Sequence, residues 1–231
     1  MMIRNALCAG LLLAAAAVTP TLAEAADRLL IIGDSLSDAY QMPREAGWAH
    51  LLGLRLGPDY EVINASISGE TSAGGVTRIE SLLAQHDPDR LLIILGGNDG
   101  LRALNPAQLQ ANLEAMIEQA QAAGVAVALM QIRLPPNLGP AYLRRFEAVY
   151  PTLAERHEIP LLPFFLESLF DRPGMMMDDG IHPSAAAQPL MLDQIWPALA
   201  DWLAIEGVQQ AGRSKPGRLG DLTAGEHLPD E

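Results

Sequence analysis

Short apolar runs alternate along this chain with longer stretches whose apolar positions recur every three or four residues. Five runs read as buried parallel strands: Arg28 to Gly33, Tyr60 to Ala65, Leu91 to Leu95, Val125 to Met130 and Ile159 to Phe164. Between them lie stretches of helical spacing. Trp48, Leu51, Leu52, Leu54 and Leu56 share one; Val76, Ile79, Leu82 and Leu83 a second; Leu109, Leu113, Met116, Ile117 and Ala120 a third. Pro106 suits the first turn of that third helix, and Gly124 suits the position just past its end. Tyr142 to Arg156 and Leu190 to Leu203 complete the helices. Strict alternation of strand and helix predicts an α/β fold, a three-layer α/β/α sandwich around a five-stranded parallel sheet. In such sheets ligands bind outside the carboxyl ends of the strands, so chemistry belongs in the loops that follow them.

The two ends of the chain break this pattern. Arg4 precedes an unbroken run of 13 apolar or small residues, Ala6 to Val18, followed by Thr19-Pro20 and the small-x-small triplet Ala23-Glu24-Ala25. That is the layout of a secretion signal, predicted to be cleaved after Ala25, and the run is shorter than the roughly 18 or more apolar residues a membrane anchor needs. Residues 1–25 are therefore expected to be a signal peptide and the mature chain to be periplasmic or secreted, with no stable membrane anchor. From Glu206 to Glu231 apolar residues thin out and no period remains, which predicts a disordered tail. Residues 26–205 are left for one domain, and a monomer is expected.

Composition narrows the chemistry. The 231 residues carry a net charge of −13. Removing Arg4 and Glu24 with the signal leaves it unchanged, and so acidic a protein is not expected to bind nucleic acid. The sole lysine, Lys215, lies in the tail, which excludes a phosphate-loop or Schiff-base lysine in the core. Cys8, the sole cysteine, falls within the signal, so thiol catalysis and cysteine-ligated metals are excluded from the mature chain. His50, His86, His157 and His227 show no metal spacing. No metal and no organic cofactor is expected.

The strand-end loops carry the candidate chemistry. Gly33-Asp34-Ser35-Leu36-Ser37 follows the first strand, with Ser35 read near the start of a helix; the alternative reading is that it or Ser37 simply caps that helix. It is not the Gly-x-Ser-x-Gly elbow. Gly69, after the second strand, suits a backbone N–H aimed outward. Gly96-Gly97-Asn98-Asp99-Gly100, after the third, reads as a tight turn projecting the Asn98 amide. Asp178-Asp179-Gly180-Ile181-His182-Pro183 sets acids three and four residues before a histidine, and Pro183 reads as the first position of the last helix, with His182 at its entrance. A serine nucleophile needs an imidazole to take its proton and a carboxylate on the far ring nitrogen. One loop supplies both, and spacing alone does not choose between Asp178 and Asp179. Each loop in isolation has an ordinary structural reading; their convergence on one rim of the sheet favours a hydrolase. A base of this type predicts a rate that falls on the acid side, in the imidazole range near pH 6–7.

These four blocks together resemble the SGNH (GDSL-type) hydrolase family. Segments outside them, Asn64 to Gly69, Gly96 to Arg102, Met130 to Pro135 and Leu161 to Phe165, are similar to its periplasmic multifunctional branch of acyl-CoA thioesterases, lysophospholipases and arylesterases. The resemblance spans Asp27 to Leu203. It implies a flavodoxin-like fold, Ser35 as nucleophile, His182 as base, Asp179 as its orienting carboxylate, and an oxyanion hole from the Ser35 and Gly69 N–H groups and the Asn98 amide. It further implies a mobile substrate loop at Asp99, Gly100, Leu101 and Arg102, with Gly100 as hinge. Leu134, Pro135, Pro136 and Tyr142 are expected along an apolar groove, and Met175 to Met177 as a flexible lip. The expected substrates are small-molecule acyl esters or thioesters, cleaved through an acyl-enzyme. Rival readings are a carbohydrate-ester deacetylase and a non-catalytic fatty-acyl-binding protein.

Overall fold

The computed structural model describes residues 25–205. The expected signal peptide, apart from Ala25, and the expected tail lie outside the described residues. Five parallel strands form one sheet in the order β2-β1-β3-β4-β5: β1 Asp27–Gly33, β2 Tyr60–Asn64, β3 Arg90–Ile94, β4 Ala126–Met130 and β5 Leu161–Leu162. This is the flavodoxin-like order, and the chain reverses direction across the sheet at β1 and β3. Leu29 to Gly33 of β1 and Leu91 to Ile94 of β3 are buried, because both strands lie inside the sheet and are covered on both faces. Gly33 pairs with Ile94, so the loops after β1 and β3 leave the sheet side by side.

Helices α1 (Trp48–Leu56) and α7 (Gln188–Trp202) pack together on one face. On the other lie α2 (Ser72–His86), α4 (Pro106–Ala122), α5 (Pro140–Glu147) and α6 (Val149–Arg156). Capping sets their starts. Thr71 accepts from the Gly74 N–H ahead of α2, and Asn105 accepts from the Ala107 N–H ahead of α4, whose first residue is Pro106 as expected. The core is Leu- and Ile-rich, with Trp48, Phe146, Tyr150, Phe164 and Phe165 as its large fully buried rings.

Three sequence readings need correction. The helix expected over Tyr142 to Arg156 is two helices, broken at Ala148. Pro151 has no N–H to give the Glu147 carbonyl, and the Gln131 side chain donates there instead, at 3.4 Å. No regular helix begins at Ser35: the chain turns from Asp34 to Gln41, and α1 starts only at Trp48. Nor does Pro183 open the last helix. It pairs with Met176 in an antiparallel bridge, and α7 starts at Gln188.

Candidate active site

Asp34 sets the conformation of the loop after β1. Its carbonyl accepts from the Ser37 and Asp38 N–H groups, both at 3.0 Å, and its carboxylate oxygen Oδ1 accepts from the Leu36 N–H at 3.1 Å. This single helix-like turn lifts Ser35 to the rim while Leu36 and Ser37 stay buried. The Trp48 indole N–H donates to the Leu36 carbonyl at 3.1 Å and fastens the turn to α1.

His182 comes from the far end of the chain on a narrow hairpin. The Met177 N–H donates to the His182 carbonyl at 2.8 Å, and the Ser184 N–H to the Met175 carbonyl at 2.7 Å. Met175 to Met177 are thus one arm of that hairpin, with Met175 and Met176 packed on the core, rather than a flexible lip. Inside the hairpin Asp179 Oδ1 accepts from the Ile181 and His182 N–H groups, both at 2.9 Å. Its other oxygen lies 2.6 Å from His182 Nδ1. These contacts, the His182 backbone N–H foremost, lower the Asp179 carboxyl to about 2 and keep it ionised. Asp178 makes no such contact among the described residues, so geometry selects Asp179. His182 Nε2 lies 2.8 Å from Ser35 Oγ. A carboxylate thus holds one edge of the imidazole, and the serine hydroxyl meets the other.

The proposed oxyanion donors sit on neighbouring loops. The backbone N–H groups of Ser35 and Gly69 have no acceptor among the described residues. The Asn98 amide is not free, contrary to expectation: it donates to Asp34 Oδ2 at 3.2 Å and to the Glu70 carbonyl at 3.0 Å. To serve as an oxyanion donor, Asn98 would have to give up one of those two bonds. Asn98 lies in a short helix, α3 (Gly97–Leu101), where the sequence suggested a turn. Gly96 permits it, since a Cβ there would lie 2.1 Å from the Tyr150 hydroxyl, which donates to the Leu95 carbonyl. Arg78 braces the Gly69 loop through Glu70 and the Ala65 carbonyl. Asp38 ties that loop to the Ser35 turn by accepting from the Ser68 hydroxyl at 2.8 Å.

The expected substrate loop divides. Asp99 is buried and accepts from the Ser72 N–H and hydroxyl, at 2.8 and 2.6 Å, so it anchors α2 and faces no groove. Gly100 is no hinge. It is buried in α3, and a Cβ there would fall 2.3 Å from Leu134, so it is the contact that seats Leu134. Arg102 reaches the Gly69 carbonyl at 3.3 Å. Leu101 does line an apolar groove, together with Leu36, Leu134, Pro135, Phe170 and Ile181. Tyr142 and Pro136 are not among its walls: the Tyr142 hydroxyl donates to the Leu104 carbonyl at 2.8 Å, and its ring stacks on Phe146. The sequence reading missed Leu36, Phe170 and Ile181, which flank Ser35 and His182 in the chain or approach them only on folding. Leu101, Phe170 and Ile181 are 40%, 41% and 36% exposed, so the groove is open at the rim.

Two polar groups behind the site were also missed. Asp34 is 2% exposed, and burial pushes its carboxyl up to about 6 despite the bonds from Leu36 and Asn98. Tyr40 stacks on the His182 ring. One grouping of metal-ligating type occurs among the described residues, Glu114 and Glu118 of α4 with His157. It lies toward the amino end of β5, the rim opposite Ser35, and Arg156 already pairs with Glu114 at 2.5 Å. No helix among the described residues is long and apolar enough to cross a membrane.

Residues 31–189 match the model of the GDSL-like lipase/acylhydrolase family. The chain belongs to that family. It is 51% identical over 178 residues to the esterase TesA of Pseudomonas aeruginosa, covering 76% of this chain and 89% of that one. To the thioesterase 1/protease 1/lysophospholipase L1 of Escherichia coli it is 47% identical over 182 residues, covering 79% and 84%. The fold agrees with the solved psychrotrophic esterase EstA of Pseudoalteromonas, inhibited by monoethylphosphonate, at a TM-score of 0.75 and 40% identity, covering 77% of this chain and 99% of that one. As a GDSL-like acylhydrolase, the protein is an enzyme of hydrolytic type, and its α/β sandwich is the one its sequence pattern predicted.

Proposed function

We propose that the protein is a serine hydrolase that cleaves carboxylic esters and thioesters through an acyl-enzyme on Ser35. The observation that carries this reading is the unbroken chain Asp179–His182–Ser35, at 2.6 and 2.8 Å, opening beside an apolar groove. In the first step Ser35 Oγ attacks the acyl carbon and its proton passes to His182 Nε2. The oxyanion draws on the Ser35 and Gly69 N–H groups and on the Asn98 amide. Collapse breaks the bond to the leaving oxygen or sulfur, which takes the proton from His182. In the second step water attacks the Ser35 ester and gives its proton to His182. The acid departs and the proton returns to Ser35 Oγ. Asp179 stays ionised throughout and stabilises the imidazolium. Preset donors around the developing charge supply the largest share of such catalysis.

The groove walls of Leu36, Leu101, Leu134, Phe170 and Ile181 favour acyl chains over sugar acetates as the acid part of the substrate. The names of the relatives, esterase and thioesterase/lysophospholipase, favour the same substrates. Measuring kcat/KM for a long-chain acyl-CoA, a lysophospholipid and a short aryl ester, with Ser35→Ala as blank, tests this. A clear preference for the long acyl substrates is expected; indifference to chain length would contradict an acyl groove. Export with cleavage after Ala25 is part of the proposal, and the mass of the mature chain tests it. A mass that retains Met1 to Ala25 would contradict it.

A further inference from the structure

The imidazole of His182 has an aromatic neighbour that the mechanism above does not use. The Tyr40 ring lies 4.1 Å from it, centroid to centroid, at 27° between planes. The segment that carries Tyr40 is built to hold it there. Ala39 and Gln41, on either side, are both left-handed, with φ of 54° and 53°. Non-glycine residues adopt that conformation at a cost, and two so close together persist only where the surroundings enforce them. Ala39 is wedged against Gly47, where a Cβ would come within 2.9 Å of the alanine methyl. Asp38, next in line, accepts from the Ser68 N–H and hydroxyl through its Oδ2. The Gln41 amide donates to the Tyr40 hydroxyl at 3.0 Å.

The chemistry gives this bracket a task. In the free enzyme two edges fix the ring, Nδ1 by Asp179 and Nε2 by Ser35. Once Ser35 is acylated, its Oγ is an ester oxygen with no proton to give, and the Nε2 anchor is gone. One hydrogen bond remains, to a carboxylate that is 41% exposed on a narrow hairpin. A single in-plane bond leaves the ring free to rock out of its plane. A face-on aromatic contact opposes that motion, and it is unaffected by the state of Ser35.

We propose that Tyr40 is a positioning residue that holds the His182 imidazole in plane during the acyl-enzyme stage, so that its loss slows deacylation more than acylation. This rests on the acyl-enzyme reading above.

The test is stopped-flow hydrolysis of a p-nitrophenyl ester by the wild-type enzyme, Tyr40→Phe, Tyr40→Leu and Tyr40→Ala, resolving acylation and deacylation rate constants. The second-order rate of labelling by a fluorophosphonate, which needs only the first step, is measured alongside. Tyr40→Phe is expected to stay close to wild type, since it keeps the face and loses only the hydroxyl with its exposed bond from Gln41. Tyr40→Leu and Tyr40→Ala are expected to lose roughly tenfold in deacylation, with a smaller loss in acylation and labelling and a burst of p-nitrophenol. Tyr40→Leu at the wild-type rate would overturn the inference, because bulk alone would then suffice. Equal losses in both steps would overturn it as well. Failure of the wild type to form any adduct at Ser35 would instead strike the acyl-enzyme reading itself, a separate and distinguishable result.

Discussion

Ser35 rides on a turn whose anchors are buried, whereas His182 rides on a hairpin held mostly by its own backbone. Around the serine, Asp34 and Ser37 are almost wholly withdrawn from solvent, and the Trp48 indole reaches the Leu36 carbonyl from inside the core. Around the histidine, Asp178 to Ile181 are exposed, and the shape comes from the Met176–Pro183 bridge and the Asp179 turn. Damage to the first loop should therefore be felt in the stability of the whole domain. Damage to the second should be felt in turnover while the domain stays folded.

Short of removing Ser35 itself, the largest effect expected is that of Asp179→Asn. Asparagine can still accept from the Ile181 and His182 N–H groups, but its amide cannot accept from Nδ1–H, so the imidazole is held in the wrong tautomer. A loss of about 10³–10⁴ in kcat is expected, with only a small fall in melting temperature because the carboxylate is partly exposed. A loss of stability as large as that of a core-anchored change would break the contrast between the loops. Next is Asn98→Ala, which removes a proposed donor to the oxyanion and should lower kcat by about 10²–10³ with KM little changed. On the core-anchored side, Trp48→Phe leaves the buried Leu36 carbonyl without its donor. Denaturant unfolding should register a loss of about 1–3 kcal/mol. A melting curve identical to wild type would show that the turn is not held from the core.

Smaller effects sharpen the picture. Ser184→Ala removes the bond from its hydroxyl to the Gly174 carbonyl, 2.6 Å, at the base of the histidine hairpin. A fall in kcat of a few-fold is expected, with global stability unmoved. Asp34 supplies a pH signature. Its folded pKa, about 6, lies above the ordinary 3.8, so between roughly pH 4 and 6 the folded state binds the extra proton. Its contribution therefore makes stability fall as pH rises through that window. Asp34→Asn should flatten the slope of melting temperature against pH there; an unchanged slope would mean that Asp34 titrates normally.

Much of this architecture was legible because it depends on periodicity. Each strand expected from an apolar run exists, and Pro106 and Gly124 sit where the helix rules put them. What the pattern could not carry is contact across the chain. Nothing local says that Asp99 will meet Ser72, or that Gly100 is bare because Leu134 fills its space. Only the family resemblance made both of them parts of a substrate loop. The break at Ala148 had a local signal in Pro151, overridden by the helical spacing around it. Pro183 was misread because two structures suit a residue without an N–H: a first helical turn, and a bridge whose hydrogen bonds come from its neighbours. Ser35 stood out by type at a strand end, and Asp179 and His182 in the loop ahead of the last helix. Their distances, and the Tyr40 face against His182, arise only when the loops after β1 and β5 meet.

The central claim is that Ser35 carries the acyl group. Intact-mass and peptide-mapping analysis of the enzyme after reaction with a fluorophosphonate tests it most directly. One adduct per chain on Ser35, absent from Ser35→Ala and accompanied by complete loss of turnover, is the expected result. An adduct on another residue, or full turnover by the purified Ser35→Ala protein, would contradict it.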